Sequence, residues 1–145
     1  MFEGKHSDLT EKTIGAFYQV YAQLGYGFSE KVYENALALV FNKMGFKAEQ
    51  QKPILVYFDG QVVGEYFVDI LVNEVVMLEL KACKNLLDEH EAQLLNYLKA
   101  TSCEVGLLLN FGPKPQITRK VFDNYRKGSL TWTDPHIGDT SAKFE

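Results

Sequence analysis

The sequence predicts an α/β domain in which a mixed central sheet is flanked by α-helices. Three observations carry that expectation. Apolar residues recur at helical spacing up to Met44. Between Phe46 and Ala82, apolar segments alternate with hairpin turn signals. A strand, helix, strand order then follows, which suggests a parallel pair at that end of the sheet.

From Asp8 to about Leu24, the residues Leu9, Ile14, Phe17, Val20, Tyr21 and Leu24 share one helical face, and Asp8 with Glu11 is spaced for a capping box. Gly25-Tyr26-Gly27-Phe28 interrupts that helix. Ser29 is a good N-cap for a second one, which runs to about Met44 before Gly45 with an apolar stripe of Tyr33, Leu37, Val40, Phe41 and Met44. Phe46 to Gln51 and Ile54 to Phe58 read as strands around Pro53. Asp59-Gly60 is a hairpin signal leading into Gln61 to Val72, and Asn73-Glu74 marks a second turn before Val75 to Ala82. These segments form an antiparallel meander. Asp88 is expected to cap a helix through Lys99, and Val105 to Phe111 reads as a buried strand ending at Gly112-Pro113. Ile117 to Tyr125 is amphipathic and fits either a late helix or an edge strand. The expected organisation is one domain over residues 1–127, followed by a loosely ordered tail over 128–145 that Trp132 would anchor.

A chain of 145 residues with 46% hydrophobic content can bury roughly 70% of its unfolded surface in a single core. The 13% aromatic and 23% charged fractions argue against global disorder. No apolar run approaches the ~20 residues that span a bilayer, and no h-region opens the chain, so a soluble, cytoplasmic protein is expected. Cys83 and Cys103 lack zinc-site spacing and read as buried thiols. A formal charge of −4 speaks against tight binding to nucleic acid through a basic tract. Part of that acidity belongs to a metal site, where a bound dication would reverse the local sign.

The candidate site comes from charges in apolar strands. Asp69 interrupts Phe67-Val68-Asp69-Ile70-Leu71-Val72, and Glu79 and Lys81 share one face of Val75 to Ala82. Burying such ions costs several kcal/mol each unless a metal, an ion pair or an open cleft accompanies them. Hard divalent cations take oxygen ligands and often use only one or two carboxylates, so Asp69 and Glu79 suit Mg2+ or Mn2+. Lys81 would orient water or stabilise transition-state charge in phosphodiester cleavage. Glu30 projects within the stripe of Tyr33, Leu37 and Phe41, toward the core side, although the helix dipole alone also favours a carboxylate in a first turn. Gln93 and Tyr97, one turn apart, border the stripe of Leu94, Leu98 and Thr101 and can face the cleft edge; ordinary amphipathicity explains them nearly as well.

Blander readings compete. Asp69, Glu79 and Lys81 would serve equally as a buried salt-bridge network, though two or three carboxylates facing one lysine are better balanced by a dication. Gly25-Tyr26-Gly27 follows a helix rather than a strand and lacks the third glycine of a phosphate loop. His6, His90 and His136 are dispersed, with no nucleophile motif beside them. Lys5, Lys114, Arg119, Lys120, Arg126 and Lys127 read as a solvated face rather than as phosphate contacts.

Gly27-Phe28-Ser29-Glu30-Lys31-Val32-Tyr33 resembles the name-giving pattern of the GxxExxY proteins, a group within the PD-(D/E)XK nuclease superfamily. The resemblance continues in order through Gly64 to Asp69, Leu78 to Ala82, His90 to Leu98 and Gly106 to Gly112, covering roughly residues 8 to 125. It implies a restriction-endonuclease-like core, with Asp69 and Glu79 as metal ligands, Leu80 counted with them in the metal-binding set, and Lys81 as the catalytic lysine. It also implies a scaffolding role for Glu30, a site contact for Gln93, and a substrate contact for Tyr97, which completes a Gln-Xaa-Xaa-Xaa-Tyr pattern. Val68 stands where the superfamily's name expects proline. The implied partner is DNA or RNA, and the implied activity is metal-dependent hydrolysis. The competing expectation is a catalytically silent nuclease-fold module that binds nucleic acid or a protein. A homodimer would place two centres on opposite strands of a duplex.

Overall fold

The computed structural model describes residues 4–127, so the C-terminal stretch read as a tail, with Trp132 and His136, lies outside the described residues. Two helices open the chain, α1 (Ser7–Leu24) and α2 (Glu30–Lys43). Three strands follow, β1 (Ala48–Phe58), β2 (Gln61–Val72) and β3 (Val76–Lys81), then α3 (Asp88–Lys99), β4 (Val105–Phe111), β5 (Pro115–Val121) and a 3-10 turn over Asn124–Lys127. The sheet order is β1-β2-β3-β4-β5, antiparallel throughout except for the parallel pair β3–β4 joined through α3. The mixed α/β architecture expected from the sequence is the one observed.

Alternation along the strands divides the core in two. Val76, Leu78 and Leu80 pack with Ile70, Val105, Leu107 and Leu109 beneath α1 and α2, where Phe17, Tyr33, Leu37 and Phe41 are fully buried. Met77, Leu71, Val68 and Leu108 face the other way, onto Leu94, Tyr97 and Leu98 of α3. Glu79 and Lys81 therefore stand on the α3 face of β3, Glu79 buried and Lys81 partly so.

Several local expectations are corrected. The Asp8–Glu11 capping box is not made: α1 starts one residue earlier, His6 takes the cap position at φ 54°, and Asp8 falls inside the first turn, where the helix dipole favours it. Ser29 does cap α2 in position, but without a side-chain hydrogen bond. The two strands expected around Pro53 are one continuous strand, because β1 is an edge strand and tolerates a residue lacking an N–H. Ile117 to Tyr125 resolves into β5 followed by the 3-10 turn. Both hairpin turns use left-handed backbone as their sequences suggest, at Asp59-Gly60 and at Asn73-Glu74.

The basic residues read as a solvated face are mostly engaged. Lys127 is buried, donating to the carbonyls of Thr101 (2.6 Å) and Cys103 (2.9 Å), and burial pulls its pKa down to about 8. Lys120 pairs with Glu91 at 2.8 Å, Lys5 lies near Glu104 and Asp123, and Arg126 stacks over Phe122. Both cysteines are free thiols, Cys103 buried and Cys83 only partly so.

Candidate active site at the fork of two strands

β2 and β3 pair only from Ile70↔Leu78 to Val72↔Val76, and beyond that point β2 continues with β1 alone. Asp69 and Glu79 are the first residues past the split. Side chains replace the missing ladder there: the Asp69 N–H donates to Glu79 Oε1 at 3.0 Å, and the Leu80 N–H donates to Asp69 Oδ2 at 2.8 Å. The two carboxylates are thereby locked beside each other, and among the described residues neither makes a salt bridge.

The electrostatics follow from that placement. Glu79 is only 5% exposed, and burial, reinforced by the charge of Asp69, pushes its carboxyl up to about 8. Burial raises Asp69 as well, opposed by hydrogen bonds from the Leu80 N–H and the Gln51 amide. Lys81 favours both charged forms from a distance, yet among the described residues no ion pair within 4 Å joins it to either carboxylate. The salt-bridge network considered from sequence is not formed.

The donor set suits a hard cation. Two carboxylates meet, and in a strand a residue's N–H and C=O point to the same edge, so the carbonyl of Leu80 looks into the fork as its N–H does. The Leu80 side chain itself is in the core. Among the described residues no group of three or more His, Cys, Asp or Glu side chains gathers with metal-holding geometry. A cation here would rest on two carboxylates, main-chain oxygen and water, which is how magnesium is commonly held.

Two residues that sequence reasoning missed build the wall of this site. Glu34 of α2 is 3% exposed, and Gln51 of β1 donates its amide to Glu34 Oε1 (2.8 Å) and to Asp69 Oδ1 (3.2 Å). Gln51 does so from a backbone φ of 53°, a left-handed conformation uncommon for a strand residue, at a position skipped by the β1–β2 pairing, between Gln50↔Ile70 and Lys52↔Val68. Glu34 had a signal, since it stands one turn after Glu30 between Tyr33 and Leu37. Gln51 had none.

An open cleft of about 520 Å3 lies against Asp69, lined by Glu30, Lys31, Glu34 and Gln51 among others. Glu30 is exposed at its mouth instead of turned to the core as expected, and the inward position belongs to Glu34. Tyr33 fixes that end of α2: its hydroxyl donates to the Gly25 carbonyl (2.7 Å) and accepts the Phe28 N–H (3.2 Å), while its ring stacks on Phe111 at 4.2 Å.

A family model described as the PD-(D/E)XK nuclease superfamily matches residues 7–120, from the first turn of α1 into β5. The chain belongs to the PD-(D/E)XK nuclease superfamily. No curated protein and no solved structure matched. For a PD-(D/E)XK chain the observed order of helices and strands is that of a restriction-endonuclease-like core.

In this PD-(D/E)XK chain the sequence-predicted residues fall into three places. Asp69, Glu79 and Leu80 meet at the fork, with Lys81 next on the strand. Glu30 borders the cleft on the α2 side. Gln93 and Tyr97 line a second hollow on the α3 side, where burial and the charges of Glu79 and Asp69 raise the Tyr97 hydroxyl and Gln93 opposes that rise. His90 is occupied elsewhere, its Nδ1 accepting the Leu87 N–H at the start of α3 (3.1 Å). Among the described residues no helix is long and apolar enough to cross a membrane.

Proposed function

We propose that this protein is a metal-dependent phosphodiesterase acting on DNA or RNA, and that within its superfamily it belongs with the GxxExxY proteins. One observation carries the reading: the buried Glu79 and the half-buried Asp69 are held side by side, and among the described residues no cation pairs with either. Burial alone would favour neutral side chains here, and a dication at the fork makes the charged pair favourable.

In this reading Asp69, Glu79 and the Leu80 carbonyl hold Mg2+ or Mn2+, which polarises a phosphoryl oxygen and acidifies water when bound. Lys81, free of a carboxylate partner, donates hydrogen bonds to the attacking water and to phosphate oxygen, offsetting the charge that grows as the phosphorus–oxygen bond breaks. Gln51 and Glu34 keep Asp69 in orientation. Glu30 shapes the cleft mouth, and Gln93 with Tyr97 meets the nucleic acid from α3.

The test is cleavage of single-stranded, duplex and branched DNA and of RNA with Mg2+ or Mn2+, comparing wild type with Asp69→Ala and Lys81→Ala. Loss of about a hundredfold or more in each variant is expected, in line with removal of a group that stabilises transition-state charge. Cleavage indifferent to both substitutions would reject this centre. Manganese uptake without cleavage of any substrate would point instead to a catalytically silent module.

A further inference from the structure

The hollow on the α3 side, about 580 Å3, is lined by neither Asp69 nor Glu79, and Glu89 is its one carboxylate among the described residues. Past the fork, α3-facing residues of the β1–β2 hairpin share one apolar cluster with α3. Ile54 and Val68 are buried against it, while Tyr66, further out, stays 47% exposed. Gly64, paired with Val56, adds no side chain on that face; a Cβ there would reach the Tyr66 ring at 3.5 Å.

The lining is specific. Tyr66 and Tyr97 rings stand 5.6 Å apart and tilted by 44°, leaving the outer face of Tyr66 without an aromatic partner among the described residues. Val56 and Ala92 supply apolar walls, and Gln93 and Asn96 add carboxamides three residues apart on one face of α3. The Asn96 side chain makes no hydrogen bond to another described residue. A carboxamide offers donors and an acceptor together, the pattern that matches base edges, and a free tyrosine face offers stacking. The hollow adjoins the fork through Tyr97, whose hydroxyl feels Glu79 and Asp69.

We propose that this hollow takes one unpaired nucleobase of the strand whose phosphodiester lies at Asp69 and Glu79, so that the substrate is single-stranded, frayed or carries an extrahelical nucleotide. The inference rests on the nuclease reading above. A paired base has its hydrogen-bonding edge engaged and one or both faces stacked, so it cannot enter between Tyr66 and the carboxamides.

Binding of short fluorescent oligonucleotides, DNA and RNA, single-stranded and duplex, is measured by anisotropy in EDTA, which separates it from cleavage. Tyr66→Ala should weaken single-strand binding about tenfold while Tyr66→Phe retains it. Asn96→Ala should weaken it by a smaller factor, and Ala92→Leu, which fills the hollow without touching the hairpin, should reproduce the Tyr66→Ala loss. Duplex binding should change less than about twofold, given that the term removed is base stacking. Single-strand binding unchanged in Tyr66→Ala and Ala92→Leu overturns the inference, as does an equal loss for duplex. Asp69-dependent cleavage with no Tyr66 effect on binding sinks the base site and leaves the nuclease reading standing. Tyr66-dependent binding without cleavage does the reverse. Absence of any single-strand binding overturns the base site, and the nuclease reading is then decided by metal-dependent cleavage alone.

Discussion

Gln51 and Asp69 fall where the β1–β2 pairing skips a position, and from a left-handed backbone the Gln51 amide holds one oxygen of that carboxylate at 3.2 Å while its other contact reaches Glu34. A strained strand residue is thus spent on orienting one acid at the fork. Gln51→Ala removes both hydrogen bonds and keeps the unfavourable φ, so it should cost about 1–3 kcal/mol in stability. Gln51→Gly loses the same bonds but relaxes the backbone, and should be less destabilised than alanine by about 1 kcal/mol. Urea unfolding of the two variants checks this; equal losses would show that the φ is not strained.

Glu79 makes the metal-free protein sensitive to pH. Its folded carboxyl titrates near pH 8 against 4.5 when unfolded, so its contribution is complete below 4.5 and is lost as pH rises through 8. Stability in EDTA should therefore fall across that window, with a slope approaching ~1.4 kcal/mol per pH unit. Glu79→Gln, neutral at every pH, should flatten the slope and be the more stable protein at pH 8. Denaturant titrations at several pH values decide it, and an unchanged slope in the variant would remove Glu79 as the cause.

Gly112 is required by the loop after β3. A Cβ there would lie 1.9 Å from the Cys83 carbonyl oxygen, which is backbone and cannot swing aside. That loop is pinned by the buried Asn110, paired with Lys81 in the β3–β4 register, which accepts the Cys83 N–H (3.0 Å) and donates to the Cys83 carbonyl (2.9 Å). Gly112→Ala should lower stability by about 1–3 kcal/mol through overpacking. Because the displaced segment begins just after Lys81, metal-dependent cleavage should fall as well; thermal unfolding and activity are read together.

Tyr33 ties the start of α2 to the loop before it. Tyr33→Phe keeps the stack on Phe111 but leaves the Gly25 carbonyl and Phe28 N–H without their partner, an expected cost of about 1–3 kcal/mol. Amide exchange at Phe28 should accelerate more than exchange in the body of α2. Uniform acceleration along the helix would assign the hydroxyl to global stability instead of to the cleft mouth.

Much of this protein was legible in one dimension because the signals are local. Helical spacing, left-handed turn pairs such as Asp59-Gly60, and charges inside apolar strands each report on neighbours within a few residues, so the elements and the mixed sheet were readable, and Asp69, Glu79 and Lys81 stood out as charges in apolar strands. The misreadings have different ranges: the inward acid of α2 is Glu34, about one turn beyond Glu30, whereas Lys127 is buried by carbonyls more than twenty residues away.

Only the folded chain decided that β2 parts from β3 at Asp69 and Glu79, and that Lys81 stays clear of both. Those outcomes depend on register, on a bent backbone at Gln51 and on side chains substituting for ladder hydrogen bonds. Each joins residues far apart in sequence, where no spacing rule operates and the energy of burying unpaired polar groups chooses the partner.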